Sequence, residues 1–403
     1  MTRPRPADPP GYRRNALHQA IVGLNLLSDI PPLAISPALA GMAAISAWPW
    51  PEPELQIAAG AGVALTLLVD GVSLSLLPRR GRSFGPVTPP LLALAVLRTI
   101  ITLALGALWP TPASLAVATG VQLTITAVQI YATWVEPFRL TVTRAELRSH
   151  KLASETPLRA LHISDLHFER WSPRERALIE TVERLAPDVI LLTGDYLSLS
   201  SVVDPEAHAG ARQVLAAIAA VAPTYAITGS PPVDLAGVVP NIFDGLPITW
   251  LDDEATEVLL NGHRLQLVGL RCTRDREQDV PRLERTLPDR VDSTFTLLLY
   301  HSPDLMPEAT EKGVDLYLAG HTHGGQLRLP LFGALFTSSD FWKRYEAGRY
   351  DEGETTLYVS RGLGMEGLAA PRARFLAPPE IILWHLSGDQ CETSEVSTDR
   401  PGA

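Results

Sequence analysis

Long runs of apolar positions fill the first third of the chain. They cover four stretches, at residues 20–48, 55–77, 91–109 and 113–135. A helix needs about 20 apolar residues to cross a bilayer, so the last three stretches are predicted to span one. The first is interrupted between Asp29 and Pro32. Its clean part, 33–48, is short for a span, and residues 15–27 are expected to form a separate interfacial helix before it. The pattern predicts an all-α transmembrane block of about four helices.

The connections between these stretches differ in positive charge. Up to residue 151, the Lys and Arg outside the apolar runs lie in the N-terminal arm, the second connection and the stretch after the fourth run, and the first and third connections have none (Arg3, Arg5, Arg13, Arg14; Arg79, Arg80, Arg82; Arg139, Arg144, Arg148, Lys151). Short loops rich in Lys and Arg stay in the cytoplasm, so we expect four spans with both termini on that side. The YRRN sequence at 12–15 is similar to a twin-arginine signal, which leaves export as the alternative.

Two charged residues fall inside the predicted spans, Asp70 in the second and Arg98 in the third. Charges at this depth are costly and are usually paired or functional. The first interpretation is an ion pair that holds two helices together. The alternative is a site for a lipid headgroup or an ion, and with it a transporter or channel function.

From Pro137 onward, short apolar segments alternate with polar turns. Strands are predicted at 138–147, 158–164, 189–193, 224–228, 257–260, 265–270, 295–300, 315–319, 356–360 and 381–386, and helices at 174–185 and 209–221. Asn261 and Gly262 form a typical hairpin turn sequence between two of these strands. The alternation predicts an α/β domain with two sheets covered by helices. We expect the boundaries 1–136 for the arm and transmembrane helices, 137–387 for this domain and 388–403 for a disordered tail.

Composition excludes several classes of function. The 403 residues carry a formal net charge of −10, and no basic stripe appears after the membrane block, which argues against a nucleic-acid partner. The chain has two cysteines, Cys272 and Cys391, far apart in sequence. A disulfide framework and a cysteine-based zinc motif are therefore excluded.

Carboxylate and imidazole side chains follow several of the predicted strands. In chain order they are Asp165 with His167, Asp195, His301, and His321 with His323. Loops at strand ends, held by a rigid sheet, are where ligands converge. Residues two apart on extended chain point to the same side, so Asp165 and His167 can reach one ion, and Asp195 can bridge two through its two oxygens. These ligand types suit Mn, Fe, Zn or similar divalent ions, and a pair of such ions activates a hydroxide for attack on phosphorus.

The ordered set Asp-x-His, Gly-Asp, His and Gly-His-x-His resembles the calcineurin-like metallophosphoesterase superfamily, over residues 158–386. The run GHTHGGQLRLP, with YVSRGLG at 358–364 and PEI at 379–381, is similar to the membrane-associated bacterial branch, where some relatives act on phospholipid-like or nucleotide-linked lipid substrates. The resemblance implies a two-sheet sandwich flanked by helices and two divalent metal ions. By position it places Asp165, His167 and His323 on the first metal, His301 and His321 on the second, and Asp195 between them.

The chain departs from this family at the third motif. The family has Gly-Asn-His followed by Asp or Glu, and this chain has Gly229-Ser230-Pro231-Pro232. The family's Asn binds the second metal, and Ser230 or water is the substitute, with lower affinity. The family's His acts at the leaving group or on the phosphate charge, whereas Pro231 has no side-chain donor, so no catalytic acid is assigned. Arg361 of YVSRGLG is a candidate phosphate contact, with an ion pair as the alternative.

Together these features predict a membrane-anchored, divalent-metal-dependent phosphoesterase that hydrolyses a phosphodiester, a phosphomonoester or a pyrophosphate. The alternative, motivated by Ser230 and Pro231, is a catalytically weakened relative that binds metal and a phosphorylated ligand as a sensor or scaffold. The expected partners are the membrane and a phosphorylated small molecule or lipid-linked substrate. The expected location is the bacterial cell inner membrane, as a multi-pass protein with its catalytic domain in the cytoplasm.

Overall fold

The computed structural model describes residues 23, 25–152, 156–287, 294–367 and 369–389. The arginines of the N-terminal arm, most of the predicted interfacial helix and the predicted tail after residue 389 lie outside these ranges. The α-helices are α1 (Ser36–Ala47), α2 (Pro53–Arg79), α3 (Thr88–Leu108), α4 (Pro112–Ile130), α5 (Pro173–Leu185), α6 (Pro205–Ala219), α7 (Val239–Phe243), α8 (Arg276–Thr286) and α9 (Met306–Glu311).

Three helical stretches, α2, α3 and Pro112–Phe138, are long and apolar enough to cross a membrane, as predicted. The third is α4 continued by a π-turn at Tyr131–Val135 and a 3-10 turn at Glu136–Phe138, so it leads directly into the soluble domain.

The first apolar segment forms a shorter helix than the spans. α1 has 12 residues, which is less than a span requires, because the prolines at 49 and 51 interrupt the helix after it. The first apolar segment, from Ile30 to Trp50, nevertheless lies along α3 and contacts it near both ends. Thr88 Oγ1 at the start of α3 donates to Ile30 O at 2.5 Å, and Trp50 packs on Gly106 near its end.

Asp70 and Arg98 form a buried ion pair between α2 and α3, with Oδ2 and Nη2 2.7 Å apart. Arg98 also donates to the side chains of Gln122 and Thr126 on α4, each at 2.7 Å. Thr126 in turn donates to Asp70 Oδ1 at 3.1 Å. Each polar atom of this pair therefore has a partner. The structure agrees with the ion-pair interpretation, and the pair joins three helices at one point.

The soluble domain contains two six-stranded sheets. Its strands are β1 (Thr141–Arg148), β2 (Leu158–Ile163), β3 (Val189–Leu192), β4 (Thr224–Ala226), β5 (Ile248–Trp250), β6 (Glu254–Leu260), β7 (His263–Gly269), β8 (Phe295–Leu299), β9 (Leu316–Ala319), β10 (Arg328–Leu329), β11 (Gly333–Ala334), β12 (Gly348–Glu352), β13 (Thr355–Val359) and β14 (Glu380–Ser387). The first sheet has the order β1-β14-β2-β3-β4-β5 and the second β12-β13-β9-β8-β7-β6, while β10 and β11 form a separate hairpin.

The two sheets face each other across an apolar core. Ala160 of β2 and Trp384 of β14 belong to the same buried cluster as Leu297 of β8 and Leu318 of β9. Alternate residues of a strand point to opposite faces, so Leu161 of β2 instead lies in the cluster with α5 and α6. The predicted two-sheet sandwich flanked by helices is confirmed.

Candidate metal centre

The loops after β2 and β3 bring two carboxylates together. Asp165 N donates to Gly194 O, and His167 N donates to Asp195 O, each at 3.0 Å. Because β2 and β3 are parallel neighbours, their carboxyl ends open on the same edge of the sheet. Asp165, His167 and Asp195 are therefore adjacent.

The second sheet supplies the other histidines from the ends of β8 and β9. His301 follows β8, and Gly320 N donates to its carbonyl at 2.8 Å, which places the His321–His323 loop beside it. The Nδ1 atom of His301 lies 2.7 Å from Thr193 O. This contact crosses from one sheet to the other and joins the two halves of the site.

The six residues form two groups of three. Asp165, His167 and His323 make one group, and Asp195, His301 and His321 the other; within each, the ligand atoms lie within 4.8 Å of one another. The groups are in contact, since His167 Nε2 lies 3.7 Å from Asp195 Oδ2. The grouping agrees with the roles that the family resemblance implies, and Asp195 occupies the position between the groups.

The backbone at the site is held in a conformation that side chains rarely adopt. Positive φ angles occur at Asp165 (52°), His167 (42°), Asp195 (57°), His321 (72°) and His323 (53°). Such angles cost energy for residues other than glycine and cluster at functional sites. The surrounding fold therefore maintains this arrangement of side chains against a local preference.

The charges in the site depend strongly on each other. Burial alone would raise the pKa of Asp195, but His301, with Nε2 3.2 Å from Oδ2, acts together with His167 and His321 to lower it. Burial would lower the pKa of His301, yet Asp195 raises it to about 9. Burial is likewise overcome at His167, where the nearby carboxylates, Glu366 foremost, raise the pKa to about 9. The raised pKa values favour the protonated form of both imidazoles before a metal binds.

The donor set fits a pair of divalent ions. Among the described residues, the buried Nε2 atom of His321 has no hydrogen-bond partner, and Nε2 of His167 faces Nε2 of His323 at 3.0 Å. Buried polar atoms are normally paired, so these nitrogens are placed for another kind of ligand. Burial lowers the pKa of His321 and His323 well below the usual value, which keeps both rings neutral, as metal coordination requires.

The altered third motif lies against the second group. Ser230 Oγ is 3.4 Å from Asp195 Oδ2 and 3.3 Å from His321 Nδ1. Ser230 N also donates to Asp195 Oδ1 at 2.6 Å. The hydroxyl is thus placed between two candidate ligands of the second metal, where the family's Asn would contribute its oxygen. Pro231 contributes no donor.

Arg361 does not direct its guanidinium at the site. Its Nη2 atom pairs with the buried carboxylate of Glu380 at 2.5 Å, and its Nε donates to Pro378 O at 3.0 Å. For Arg361, the structure therefore agrees with the ion-pair alternative and does not support the phosphate contact. Of the histidines outside the motifs, His162 lies on β2 and contacts Thr193 Oγ1 through Nε2 at 2.8 Å.

Three residues that support the site were missed from sequence. Asp234 accepts from Asp195 N and Gly229 N, both at 2.7 Å, and so joins the second and third motif loops. Glu366 Oε2 lies 2.8 Å from His167 Nδ1 and orients that ring. Arg374 is fully buried, and its Nη2 is 3.4 Å from His323 Nδ1.

Only Asp234 had a usable sequence signal, as an acid five residues after a motif glycine. Glu366 and Arg374 lie on the long segment between β13 and β14, which has no strand or helix pattern. Nothing in the sequence places that segment over the site.

Comparisons with known proteins agree with this geometry. A family model described as calcineurin-like phosphoesterase matches residues 158–325, which contain all six residues. The chain is similar to the uncharacterized metallophosphoesterase YkuE of Bacillus subtilis (strain 168), at 30% identity over 264 residues, covering 64% of this chain and 88% of that protein. It is 34% identical over 260 residues to phosphodiesterase YaeI of Escherichia coli (strain K12), covering 60% and 88%. It is 25% identical over 312 residues to UDP-2,3-diacylglucosamine pyrophosphatase LpxG of Chlamydia trachomatis (serovar D), covering 63% and 91%.

Proposed function

Because this chain belongs to the calcineurin-like metallophosphoesterase family, we propose that it is a membrane-anchored, divalent-metal-dependent phosphoesterase. The observation that carries the proposal is the convergence of two buried Asp-His-His groups at the ends of two sheets. Two divalent ions of the Mn, Fe or Zn type, when bound there, would supply a hydroxide nucleophile and charge to stabilise the phosphoryl oxygens.

The chain's own residues divide this work. Asp165, His167 and His323 would hold the first ion, and His301 with His321 would hold the second. Asp195 would serve both ions, and its lowered pKa favours the ionised carboxylate that this role needs. Glu366 and Thr193 O fix the rings of His167 and His301 through Nδ1, which leaves Nε2 directed into the site.

Pro231 influences which substrates react. A general acid at the leaving group is typically worth about 10²–10⁴-fold in rate, and Pro231 cannot act as one. A substrate whose leaving group departs without protonation loses least, so we favour pyrophosphates and activated phosphodiesters over alkyl phosphomonoesters. By their names, LpxG is a pyrophosphatase that acts on UDP-2,3-diacylglucosamine and YaeI is a phosphodiesterase, which is compatible with this preference.

The test is hydrolysis of bis(p-nitrophenyl) phosphate by the purified full chain in detergent with added Mn²⁺. We expect activity that Asp195→Ala abolishes and that Asp244→Ala, at an exposed aspartate outside the site, leaves unchanged. No rate above the Asp195→Ala background, across several metals and several phosphate esters, would refute the enzyme proposal.

The alternative is a weakened relative that serves as a metal-dependent sensor or scaffold, and the contacts of Ser230 with the second group motivate it. Metal content separates the two, since two ions per chain support the enzyme and one supports the alternative. A large gain in rate when Ser230→Asn and Pro231→His are combined would also favour the alternative.

We further propose that the protein lies in the inner membrane with this domain in the cytoplasm. Arg79 ends α2 and Arg80 and Arg82 follow it. Arg82 Nη1 donates to Trp134 O at the end of the last span, at 2.9 Å. The positively charged connection and the soluble domain are therefore at the same end of the helices, and positive charge favours the cytoplasmic side. A C-terminal reporter that is active only outside the cytoplasm should stay inactive.

A further inference from the structure

An exposed apolar patch lies on the soluble domain next to the metal centre. It consists of Leu329, Leu331, Phe332 and Leu335 on and around the β10–β11 hairpin, with Trp342 and Leu376. In the described part of the soluble domain, the other exposed large hydrophobic side chains are Val203 and Leu259. Single exposed hydrophobic residues are ordinary, but a contiguous group marks an interaction surface.

The turn of the hairpin is unfavourable for a protein surface in water. Leu331 is fully exposed and has a φ of 65°. Turns that need this conformation normally use glycine or asparagine, and a bulky aliphatic residue there is an outlier. The turn therefore exposes a leucine where neither local conformation nor solubility favours one, which indicates a function for the exposed side chain.

Hydrogen bonds connect this hairpin to the last spanning helix. Arg374 N donates to Ala132 O in the π-turn at 2.8 Å, and Phe375 N donates to Gln326 O, also at 2.8 Å. Arg328 N then donates to Phe375 O at 3.0 Å. The patch is thus two backbone contacts away from the membrane block, at the end where the last span leaves the bilayer.

The residues around the patch suit a headgroup region. The Lys343 ammonium lies 3.6 Å from the centre of the Phe332 ring, and Trp342 is its chain neighbour. Tryptophan and lysine beside leucine and phenylalanine are the composition of segments that insert at the boundary between lipid headgroups and acyl chains. The base of the hairpin is fixed by Glu346, which accepts from Arg328 Nη2 at 2.7 Å and from Ala334 N at 3.1 Å.

We propose that this patch inserts into the surface of the bilayer that the protein's own helices cross, and that the metal centre thereby faces phosphate esters of membrane lipids. His323 precedes β10 by a few residues, and Gly325 packs closely on Ala334 of β11. The inserted hairpin and the metal centre are therefore parts of one unit. The substrate class is a lipid whose phosphate lies at headgroup level. This part of the inference rests on the proposed phosphoesterase function.

The deciding experiment measures insertion without catalysis. Cys391→Ser leaves Cys272, which is buried and free, so a nitrobenzoxadiazole label can be placed at Leu331→Cys in the full chain. The matched control carries the label at Leu259→Cys, an exposed leucine on β6. Both proteins are reconstituted in nanodiscs of equal parts phosphatidylcholine and phosphatidylglycerol, with and without nitroxide-labelled lipid.

We expect blue-shifted emission and loss of most of its intensity to the nitroxide lipid at 331, and neither change at 259. Water-like, unquenched emission at both positions would overturn the insertion proposal. The same outcome decides it whether or not the protein hydrolyses any phosphate ester.

The substrate class is tested with two esters that share a leaving group. For the double variant Leu331→Ser, Phe332→Ser, we expect a severalfold rise in KM for phosphatidyl-p-nitrophenol in vesicles and an unchanged KM for soluble bis(p-nitrophenyl) phosphate. Equal loss on both esters would overturn the lipid-substrate proposal. If the unaltered chain hydrolyses neither, the phosphoesterase function fails, and the quenching result still stands.

Discussion

Replacement of Ser230 by alanine tests how the altered third motif contributes to the metal centre. Its hydroxyl lies 3.4 Å from Asp195 Oδ2 and 3.3 Å from His321 Nδ1, and its contacts are with the second group alone. The substitution removes only this oxygen, because the backbone N–H that donates to Asp195 Oδ1 at 2.6 Å remains. We expect binding of the second metal ion to weaken more than binding of the first, because Asp195 is assigned to both ions and His321 to the second alone.

The magnitude follows from the position of the hydroxyl. Loss of a partner that orients metal ligands typically costs about 10–100-fold in metal affinity, which corresponds to about 1.4–2.8 kcal/mol at 25 °C. If Ser230 coordinates the ion directly, the effect should reach the upper end of this range. If it only orients His321, the effect should stay near the lower end.

Isothermal titration of the purified chain with Mn²⁺ resolves the two binding steps. The matched control is Ser198→Ala, which removes an equally buried hydroxyl that donates to Glu169 Oε1 at 3.1 Å. An unchanged second dissociation constant in Ser230→Ala would refute the role given to this serine. Equal weakening of both steps would show instead that the substitution disturbs the whole site.

Two further predictions concern the charges. The affinity for Mn²⁺ should increase from about pH 6 to 9, because the pKa of both His167 and His301 is raised to about 9 and each proton must leave before the nitrogen coordinates. A dissociation constant that is independent of pH would contradict this prediction. Arg98→Ala should destabilise the chain in detergent by about 3–5 kcal/mol, because it leaves Asp70 buried without its cation. Adding Asp70→Asn should recover much of that loss in a thermal unfolding assay, and equal stability of the single and double variants would disagree with the ion-pair role.

The sandwich was predictable because its strands are short, apolar and clearly bounded. The Asn261-Gly262 turn between β6 and β7 is a direct example, since both residues adopt the positive φ angles that this turn requires, 48° and 80°. The candidate ligands were also predictable, because each lies two to four residues after the end of a strand. Strand ends at one edge of a sandwich leave little freedom for where those side chains go.

Other elements depend on contacts that the local sequence does not encode. The short strands β5, β10 and β11 carry too few residues for a period-two pattern to be visible. The positions of Glu366 and Arg374 are set by tertiary contacts with His167, His323 and the last span. The apolar residues around Leu331 have no strand or helix pattern in the sequence. The proposal that they insert into the bilayer depends on their exposure and their neighbours in the fold.

The continuity of α4 with the soluble domain has a consequence for the fate of the protein in a cell. Ala132 O accepts from Arg374 N, and the buried Glu136 carboxylate accepts from Ala377 N at 2.5 Å, so the membrane block holds the segment before β14 at two points, one of them Arg374 itself. A protease that cut between Pro137 and Thr141 would remove both acceptors together with the helices. The released fragment would have a loosened loop beside His323. Shedding from the membrane would therefore inactivate the domain and would not set free a working enzyme.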